Sequence, residues 1–247
     1  MKIIPLSEGT FTVDKTKQFI PFDHKEDKLQ SRPVGSLLVE IQPFVIVTSK
    51  DILLLDTGLG YLNKDGVLQI HQNLINNNID PSDVTKVLLS HLHKDHAGGI
   101  GIKDKILSKR FMSFPNATYY VNKNELENAL ETGTSSYTPD EFKILKESFN
   151  VEYTEGNGII NDYIKYEVTA GHSLFHQVFW IEDEGKKIFF GADDAPQLQQ
   201  MKSRFVAKYD YDGKKCMELR KLWWQKGQEE KWTFLFYHDI KFPVFEF

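Results

Sequence analysis

The sequence contains a single cysteine and no concentration of basic residues. Cys216 has no partner for an internal disulfide, so nothing requires an oxidising compartment. Lysine and arginine number 30 against 35 acidic residues, which gives a formal net charge of −5. No stretch has the basic footprint of a nucleic-acid-binding protein. These absences argue against a secreted disulfide-stapled protein and against a nucleic-acid ligand.

Long apolar runs are also missing. A membrane-spanning helix needs about 18 or more apolar residues, and the run Phe44–Leu55 is interrupted by polar residues at 48–51. The first residues hold too short an apolar run for a signal peptide. We therefore expect a cytoplasmic protein with no membrane partner. A chain of 247 residues is long enough for one domain with a full core, and we expect a single domain over 1–247.

Period-two and helical patterns alternate along the chain. Early strand-like runs follow one another directly, whereas later ones alternate with helices, which predicts sheet layers covered by helices in an α/β or α+β sandwich. Helices are expected at Val67–Asn76, Asn122–Glu131, Pro139–Ser148 and Lys214–Gln225, the last with an apolar face of Cys216, Leu219, Leu222 and Trp223. Strands are expected at Ser36–Ile41, Phe44–Thr48, Ile52–Leu55, Val87–Ser90, Thr118–Val121, Tyr163–Thr169, Gln177–Ile181, Lys187–Phe190 and Thr233–Tyr237. The range 100–160 is the least regular, and we expect an insertion over the functional site within it.

The segment from His91 to His96 reads H-L-H-K-D-H and packs four metal-competent side chains into six residues. It follows the apolar run Val87–Ser90. If that run is a strand, His91 and His93 continue it on one side, and Asp95 and His96 fall where the chain turns. Two ligands would then serve one ion and two the next, so the motif predicts a two-metal site.

Three further strand ends carry residues that bind metals. His172 follows one predicted strand, Asp193 and Asp194 follow another, and His238 follows the last. Sheets commonly carry their functional sites just beyond strand ends. A lone histidine is usually a hydrogen-bonded structural residue, but four strand ends with the same property favour a shared site.

These residues, in this order, resemble the motifs of the metallo-β-lactamase superfamily. Leu54–Gly58, His91–His96, Gly171-His172, Asp193 and His238 look like its five motifs. Asp80–Val84, the segment from Ser90 to Gly99, Gly171-His172-Ser173 with His176-Gln177, and Tyr237-His238-Asp239 resemble the N-acyl homoserine lactonase-like branch. The resemblance implies an αββα sandwich, of α+β class, with two zinc ions at one edge. It assigns His91, His93 and His172 to one ion, Asp95, His96 and His238 to the other, and Asp193 as the bridge.

Neighbouring residues are expected to support these ligands. Related chains often place the bridging aspartate three residues before a proline, and Pro196 therefore selects Asp193 over Asp194, although Ala192 departs from the pattern. Asp194 is then an outer acceptor or a turn residue. Asp56 and His176 are expected in the outer shell, with a turn acid and a structural histidine as the alternatives. His24 and His71 are expected to be solvent-exposed, and Cys216 to pack in the core.

Imidazole and carboxylate ligands without thiolate suit zinc, and manganese or iron use the same set. Two ions about 3.5–4 Å apart can share a hydroxide that attacks a carbonyl or phosphoryl centre, with Asp95 as proton shuttle. Asp95 and Asp193 are thus the expected catalytic residues. The leading hypothesis is a metal-dependent hydrolase of a small-molecule ester or lactone, with an acyl homoserine lactone as one candidate. The alternatives are phosphodiester or phosphotriester hydrolysis, and a non-catalytic, metal-stabilised binding protein.

Two features leave the substrate and assembly open. The best-matching lactonases commonly carry a tyrosine just after the bridging aspartate to bind the substrate carbonyl, and this chain has none there, although Tyr209 or Tyr211 can substitute. The apolar segment Phe242–Phe247 can line the pocket mouth, cover a sheet edge or form a homodimer interface.

Overall fold

Two six-stranded sheets form the body of the computed structural model, which describes residues 1–104 and 106–247. Strands are numbered in chain order and each sheet is given in spatial order. The first sheet consists of β1 (Lys2–Pro5), β5 (Phe44–Val47), β6 (Ile52–Leu55), β7 (Lys86–Leu88), β10 (Thr118–Asn122) and β11 (Val151–Thr154). The second consists of β12 (Gly158–Ile160), β13 (Ile164–Val168), β14 (Gln177–Asp183), β15 (Lys186–Phe190), β16 (Thr233–Leu235) and β17 (Val244–Glu246).

Smaller elements surround these sheets. A three-stranded sheet contains β3 (Phe19–Pro21), β2 (Gly9–Val13) and β4 (Leu37–Ile41), and β8 (Gly101–Lys103) pairs with β9 (Arg110–Met112). The α-helices are α1 (Gln69–Asn76), α2 (Lys94–Ala97), α3 (Lys123–Glu131), α4 (Pro139–Phe142), α5 (Leu198–Met201) and α6 (Gly213–Glu230). Short 3-10 turns occur at Leu29–Ser31, Pro81–Asp83, Lys143–Lys146 and Ala192–Asp194.

The alternation of side chains along the strands creates a four-layer sandwich. Leu53 and Leu55 of β6 pack in one cluster with Phe190 of the second sheet, so the two sheets face each other. Leu54 points to the opposite face and joins a cluster with residues of α1 and α3. The outer face of the second sheet packs against α6 through Trp223. The expected αββα arrangement is therefore confirmed.

Helix α6 begins one residue before its predicted start, ends at Glu230 instead of Gln225, and buries a different face. Its buried positions include Cys216, Arg220 and Trp223, whereas Leu222 is 46% exposed. The predicted apolar face was wrong at Leu222 because Arg220 occupies the inner side. The guanidinium of Arg220 donates to the backbone oxygen of Asp194 at 2.9 Å, which satisfies a charged group that would otherwise be costly to bury.

The range 100–160 supplies two strands of the first sheet as well as irregular segments. Strands β10 and β11 pair in parallel with each other, and β10 also pairs with β7. The loop before α4 reaches the H-L-H-K-D-H segment, where the backbone nitrogen of Lys94 donates to Ser136 at 2.9 Å. An insertion over the site and the single-domain organisation stay predictions, and position 105 lies outside the described residues.

The apolar C-terminal segment forms a sheet edge. Strand β17 pairs with β16, and the rings of Phe245 and Phe247 lie 5.2 and 4.7 Å from that of Trp224. Of the three expected roles, the structure has this one, while a homodimer interface stays a prediction. Within 1–104 and 106–247, no helix combines the length and apolar character needed to cross a membrane.

Glu8 connects the start of the chain to the turn that follows β6. Its Oε2 accepts a hydrogen bond from the backbone nitrogen of Leu59 at 2.7 Å, while its Oε1 is buried without a partner among the described residues. Gly58 lies against this carboxylate with a φ of 74°, and a Cβ there would overlap it. Burial raises the pKa of Glu8 to about 8, despite the hydrogen bond from Leu59.

We expect Glu8→Gln to stabilise the protein increasingly as the pH rises from 4.5 to about 8. The folded state holds the Glu8 proton more tightly than the unfolded state, so the wild-type protein loses stability across this window. The difference in unfolding free energy between the two proteins should grow by up to about 1.4 kcal/mol per pH unit. Urea unfolding at several pH values measures it, with the exposed Glu26→Gln as control. A difference independent of pH would contradict the assignment.

Candidate metal centre

The H-L-H-K-D-H segment leaves the first sheet earlier than the sequence predicted. Strand β7 ends at Leu88, and His93 immediately precedes α2, so His91 and His93 do not continue the strand. That prediction was wrong because Gln177, and not a neighbouring strand of the first sheet, binds the backbone oxygens of Leu89 and Ser90. Gln177 donates through its amide to the oxygen of Leu89 at 2.7 Å and through its backbone nitrogen to Ser90 at 2.9 Å.

Two acidic side chains complete the support of this segment. Asp56 Oδ1 accepts from the backbone nitrogen of Ser90 at 2.7 Å, and Glu125 Oε1 accepts from that of Leu92 at 3.0 Å. Both carboxylates are fully buried. Side chains and the adjoining strands β10 and β14 together satisfy the loop backbone, which frees the loop side chains to converge.

A first cluster joins residues from three separate strand ends. Its ligand atoms all lie within 4.8 Å of one another. His93 Nδ1 is 3.0 Å from His91 Nε2 and 3.1 Å from His172 Nε2, and His172 Nε2 is 3.1 Å from Asp193 Oδ2. The cluster comprises His91, His93, His172 and Asp193.

A second cluster lies on the other side of Asp193. It comprises Asp95, His96 and His238, again within 4.8 Å. Asp95 Oδ2 is 3.8 Å from His96 Nε2 and 3.6 Å from His238 Nε2. Asp193 Oδ1 lies 3.1 Å from His96 Nε2 and 3.0 Å from His238 Nε2. The two oxygens of Asp193 therefore face different clusters, which is the position expected for a bridge.

The donor atoms of both clusters fit metal ions. His96 Nε2 and Asp193 Oδ1 are fully buried and have no hydrogen-bond partner in the described part of the chain. Nitrogen pairs 3.0–3.1 Å apart are close to the edge of a tetrahedron with zinc–nitrogen distances of about 2.0–2.1 Å. Uncompensated lone pairs at such spacing are costly to bury, and a cation between them removes that cost. The nitrogen and oxygen donors suit zinc, and also manganese or iron.

Three of the imidazoles are held by outer partners at the nitrogen that faces away from the clusters. His96 Nδ1 lies 2.7 Å from Asp56 Oδ2, and His172 Nδ1 lies 2.8 Å from Asp210 Oδ1. His238 Nδ1 donates to the backbone oxygen of Glu40 at 2.7 Å. In each case Nε2 is directed into the cluster, which is the arrangement metal-binding histidines require.

The sequence reasoning missed part of this outer ring. It anticipated the contact of Asp56 with a histidine, but it missed Asp210 and the backbone of Glu40. Ser90 was also missed, although its hydroxyl donates to Asp56 and lies 3.0 Å from His91 Nδ1. Only Ser90 had a usable signal, its position directly before the first histidine. Asp210 and Glu40 approach through tertiary folding, which no local pattern records.

Asp194 is a buried acceptor behind the first cluster. The turn Ala192–Asp194 places its side chain away from Asp193, and Asp194 Oδ1 accepts from the backbone nitrogen of His172 at 2.7 Å. Asp194 Oδ2 lies 3.1 Å from His176 Nδ1. His176 is fully buried and belongs to neither cluster. Cys216 is buried, as expected for a core residue, and its thiol lies 3.3 Å from Asp194 Oδ1.

The two other histidines without sequence context behave differently from each other. His24 is exposed, as expected, and lies 3.0 Å from the hydroxyl of Thr10. His71 is half-buried, so its predicted exposure was wrong. Helix α1 places its ring 5.1 Å from that of Phe114, and burial lowers the pKa of His71. Neither residue approaches the clusters.

Electrostatics divide the ligand histidines into two groups. Burial lowers the pKa of His91 and His93 well below the ordinary value, with a further contribution from neighbouring imidazoles. Burial acts in the same direction on His96, His172 and His238, but Asp193 and other carboxylates raise the pKa of all three. Cation binding must therefore displace protons at this second group.

A cavity of about 650 Å³ opens onto both clusters. His93, His172, Asp95, Asp193 and His238 line its floor. Its walls are largely apolar and come from the three-stranded sheet and the segment after α5. They include Val13, Phe19, Leu37, Val39, Pro196 and Phe205, with Tyr209 at one side. The centre is thus accessible to a small molecule with an apolar part.

Comparison with curated proteins relates the chain to lactonases. N-acyl homoserine lactonase AttM of Agrobacterium fabrum is 34% identical over 118 residues, which cover 41% of this chain and only 37% of AttM. N-acyl homoserine lactonase of Bacillus thuringiensis is 24% identical over 251 residues, which cover 92% of this chain and 94% of that protein.

Solved structures share the fold over nearly the whole chain. A probable metal-dependent hydrolase from Staphylococcus aureus superposes with a TM-score of 0.78 at 22% identity, covering 99% of this chain and 91% of that one. AidC, described as a dizinc quorum-quenching lactonase, superposes with a TM-score of 0.71 at 18% identity, covering 98% and 88%. At these identities the likeness establishes the fold alone.

An αββα sandwich with histidine–aspartate clusters at a sheet edge defines a class of metal-dependent hydrolases. A sequence model of the metallo-beta-lactamase superfamily matches residues 40–205, which is more than half of the chain. The chain belongs to the metallo-beta-lactamase superfamily and is related to N-acyl homoserine lactonases.

We expect Asp210→Ala to lower the metal affinity of the first cluster by about 10- to 100-fold, because His172 loses the partner that orients its ring. Asp210→Asn should lose less, since an amide oxygen can still accept from Nδ1. Competition with a chromophoric chelator measures the affinity, and circular dichroism verifies the fold. The exposed Asp65→Ala serves as control. Equal affinity in the Asp210 variants and the wild-type protein would show that this contact does not orient the ligand.

Proposed function

We propose that this protein hydrolyses a carboxylic ester or lactone with two divalent metal ions, zinc in the first instance and manganese or iron as alternatives. The observation that carries the proposal is the carboxylate of Asp193, which lies within 3.1 Å of nitrogens from both clusters on the floor of an accessible cavity. His91, His93 and His172 would hold one ion, Asp95, His96 and His238 the other, and Asp193 both.

The metal ions and the side chains would contribute different parts of the reaction. When bound, such ions polarise an acyl oxygen and lower the pKa of water from 15.7 to about 7. Hydrolysis adds water to the acyl carbon and breaks the acyl carbon–oxygen bond, and the alcohol leaves with a proton. Asp95 lines the cavity with a side chain that is 12% exposed, so its carboxylate is placed to carry that proton.

Tyr209 takes the place of the tyrosine missing after Asp193. It lies in the turn before α6, lines the cavity, and places its ring 6.1 Å from that of His172. Burial raises its pKa, with Asp210 and Asp193 adding to the effect, so the hydroxyl keeps its proton and can donate to a substrate carbonyl. Tyr211 is 65% exposed and does not line this cavity.

The substrate class follows from the cavity and the relatives together. Apolar walls suit an acyl chain, and AidC is described in complex with N-hexanoyl-L-homoserine, the product of a lactonase. An acyl homoserine lactone is therefore one candidate. Phosphodiester hydrolysis is the second candidate, because Lys15, Lys17 and Lys94 line the same cavity and attract anions. A cytoplasmic location is part of the proposal.

We expect two equivalents of metal per chain and preferential turnover of γ-lactones or p-nitrophenyl esters over phosphate di- and triesters. Elemental analysis and initial rates on this panel are the measurements. Asp193→Ala should lower turnover by at least about 100-fold while the fold is retained, because both clusters lose a shared ligand. Preferential phosphoester turnover would promote the second candidate. Absence of turnover by metal-loaded protein would favour a non-catalytic binding protein.

Tyr209→Phe should lower kcat/KM for lactones by about 10-fold or more, the cost of one hydrogen bond to a group that gains charge in the transition state. Metal content should not change, because the hydroxyl is not in either cluster. Steady-state kinetics with one lactone measure the effect, and Tyr211→Phe is the matched control. An unchanged kcat/KM would remove Tyr209 from the proposed mechanism.

A further inference from the structure

Three lysines stand at one end of the large cavity without an acidic partner. Lys15 and Lys17 belong to the turn between β2 and β3, and Lys94 belongs to α2, between His93 and Asp95 in sequence. Among the described residues, none of the three ammonium groups lies within 4.0 Å of a carboxylate. By contrast, Lys86, Lys165 and Lys187 elsewhere in the molecule all form ion pairs.

One of these lysines, Lys94, is bound to the backbone of another, Lys17. The ammonium of Lys94 donates to the backbone oxygen of Lys17 at 2.9 Å, and both residues are half-buried. Lys17 has a φ of 58°, a left-handed conformation that non-glycine residues seldom adopt. The turn is held by a hydrogen bond from the nitrogen of Lys17 to the oxygen of Asp14 at 3.0 Å. The position of the Lys94 charge is therefore set by the backbone of Lys17, and the side chain of Lys17 lines the same cavity.

The nearest acidic groups do not neutralise these charges. Asp14 Oδ1 accepts within its own turn from the nitrogen and hydroxyl of Thr16, at 2.9 and 2.6 Å, and of the three lysines it is Lys15 that contributes to lowering the pKa of Asp14. Glu141 shares a smaller cavity of about 370 Å³ with Lys17 and Lys94, but burial raises its pKa to about 7. Arg110 and Lys94 lower that pKa, but burial has the larger effect, and no ammonium of the three lysines lies within 4.0 Å of the carboxylate among the described residues. In the proposed function, the remaining carboxylates of the large cavity are metal ligands.

Half-buried cations that lack an anionic partner are costly, and an anion bound beside them would remove that cost. We propose that the substrate carries an anionic group, a carboxylate or phosphate, remote from the bond that is cleaved, and that Lys17 and Lys94 bind it. This inference rests on the proposed function. An apolar segment joins the two ends of the substrate and lies against the wall formed by Leu37, Val39 and Phe205.

The test compares two esters of equal length, p-nitrophenyl hexanoate and mono-p-nitrophenyl adipate, which differ by the terminal carboxylate. We expect the metal-loaded enzyme to prefer the adipate ester in kcat/KM by about 10-fold, the effect of one favourable charge contact. Lys17→Met should lower this preference about 10-fold, and Lys17→Arg should restore most of it. The exposed Lys25→Met, outside the cavity, should keep the preference.

Binding provides a readout that does not depend on turnover. Adipate should bind the metal-loaded protein about 10-fold more tightly than hexanoate in calorimetry, and Lys17→Met or Lys94→Met should abolish the difference. If esters are hydrolysed but neither preference exists, the inference is overturned and the proposed function stands. If no ester or lactone is hydrolysed but adipate is preferred through Lys17, the proposed function fails and the anion site remains. Equal losses for both esters in Lys17→Met would show a structural role and overturn the inference.

The same variant separates the two sources of negative charge. A phosphodiester carries its charge at the reacting centre, so bis(p-nitrophenyl) phosphate should lose no more from Lys17→Met than p-nitrophenyl hexanoate loses. If the phosphodiester alone loses activity, the lysines serve the reacting group itself, and the remote anionic group is excluded.

Discussion

The contacts of the Asp193 carboxylate with the surrounding imidazoles are the interaction on which the metal centre of this fold depends. The carboxylate attracts imidazoles from both clusters and raises the pKa of His96, His172 and His238 against the effect of burial. A site of this kind holds more donor atoms than protons can satisfy. Divalent cations would compensate the negative charge of the carboxylates and would also bind the free lone pairs of the imidazole nitrogens.

Holding so many donors together requires a rigid support, which comes from side chains as well as strands. Gln177, Asp56 and Glu125 bind the loop backbone that carries the first histidines, and each comes from a different element. Asp194 does the same for the backbone of His172. Because these side chains are buried, removing one leaves an unsatisfied group in the interior, and the geometry of the site is thereby tied to the stability of the fold.

The sequence predicts the metal-binding residues better than it predicts the residues that support them. The ligand residues stand directly after apolar strands, so local patterning locates both the sandwich and the clustered donors. Strands β1, β2, β3, β8, β9, β11, β12 and β17 have five residues or fewer and were missed. Arg220 takes the inner face of α6 in place of Leu222 and donates to the backbone oxygen of Asp194. Asp210 was missed for a related reason. Its contact with His172 spans 38 residues, and partners that meet only through tertiary folding leave no local signal.

The residues that bind metal and the residues that line the cavity come from different parts of the fold. The metal-binding residues belong to strand ends with strong patterns, whereas the cavity walls and Lys17 belong to the three-stranded sheet and its turns, where only β4 was predicted. Metal binding depends on the first set, and in the proposed function the choice of substrate depends on the second. Family membership therefore determines the reaction class far more narrowly than the substrate. The substrate has to be inferred from the few charged and apolar side chains that face the cavity, and Lys17 and Lys94 are the most informative of these.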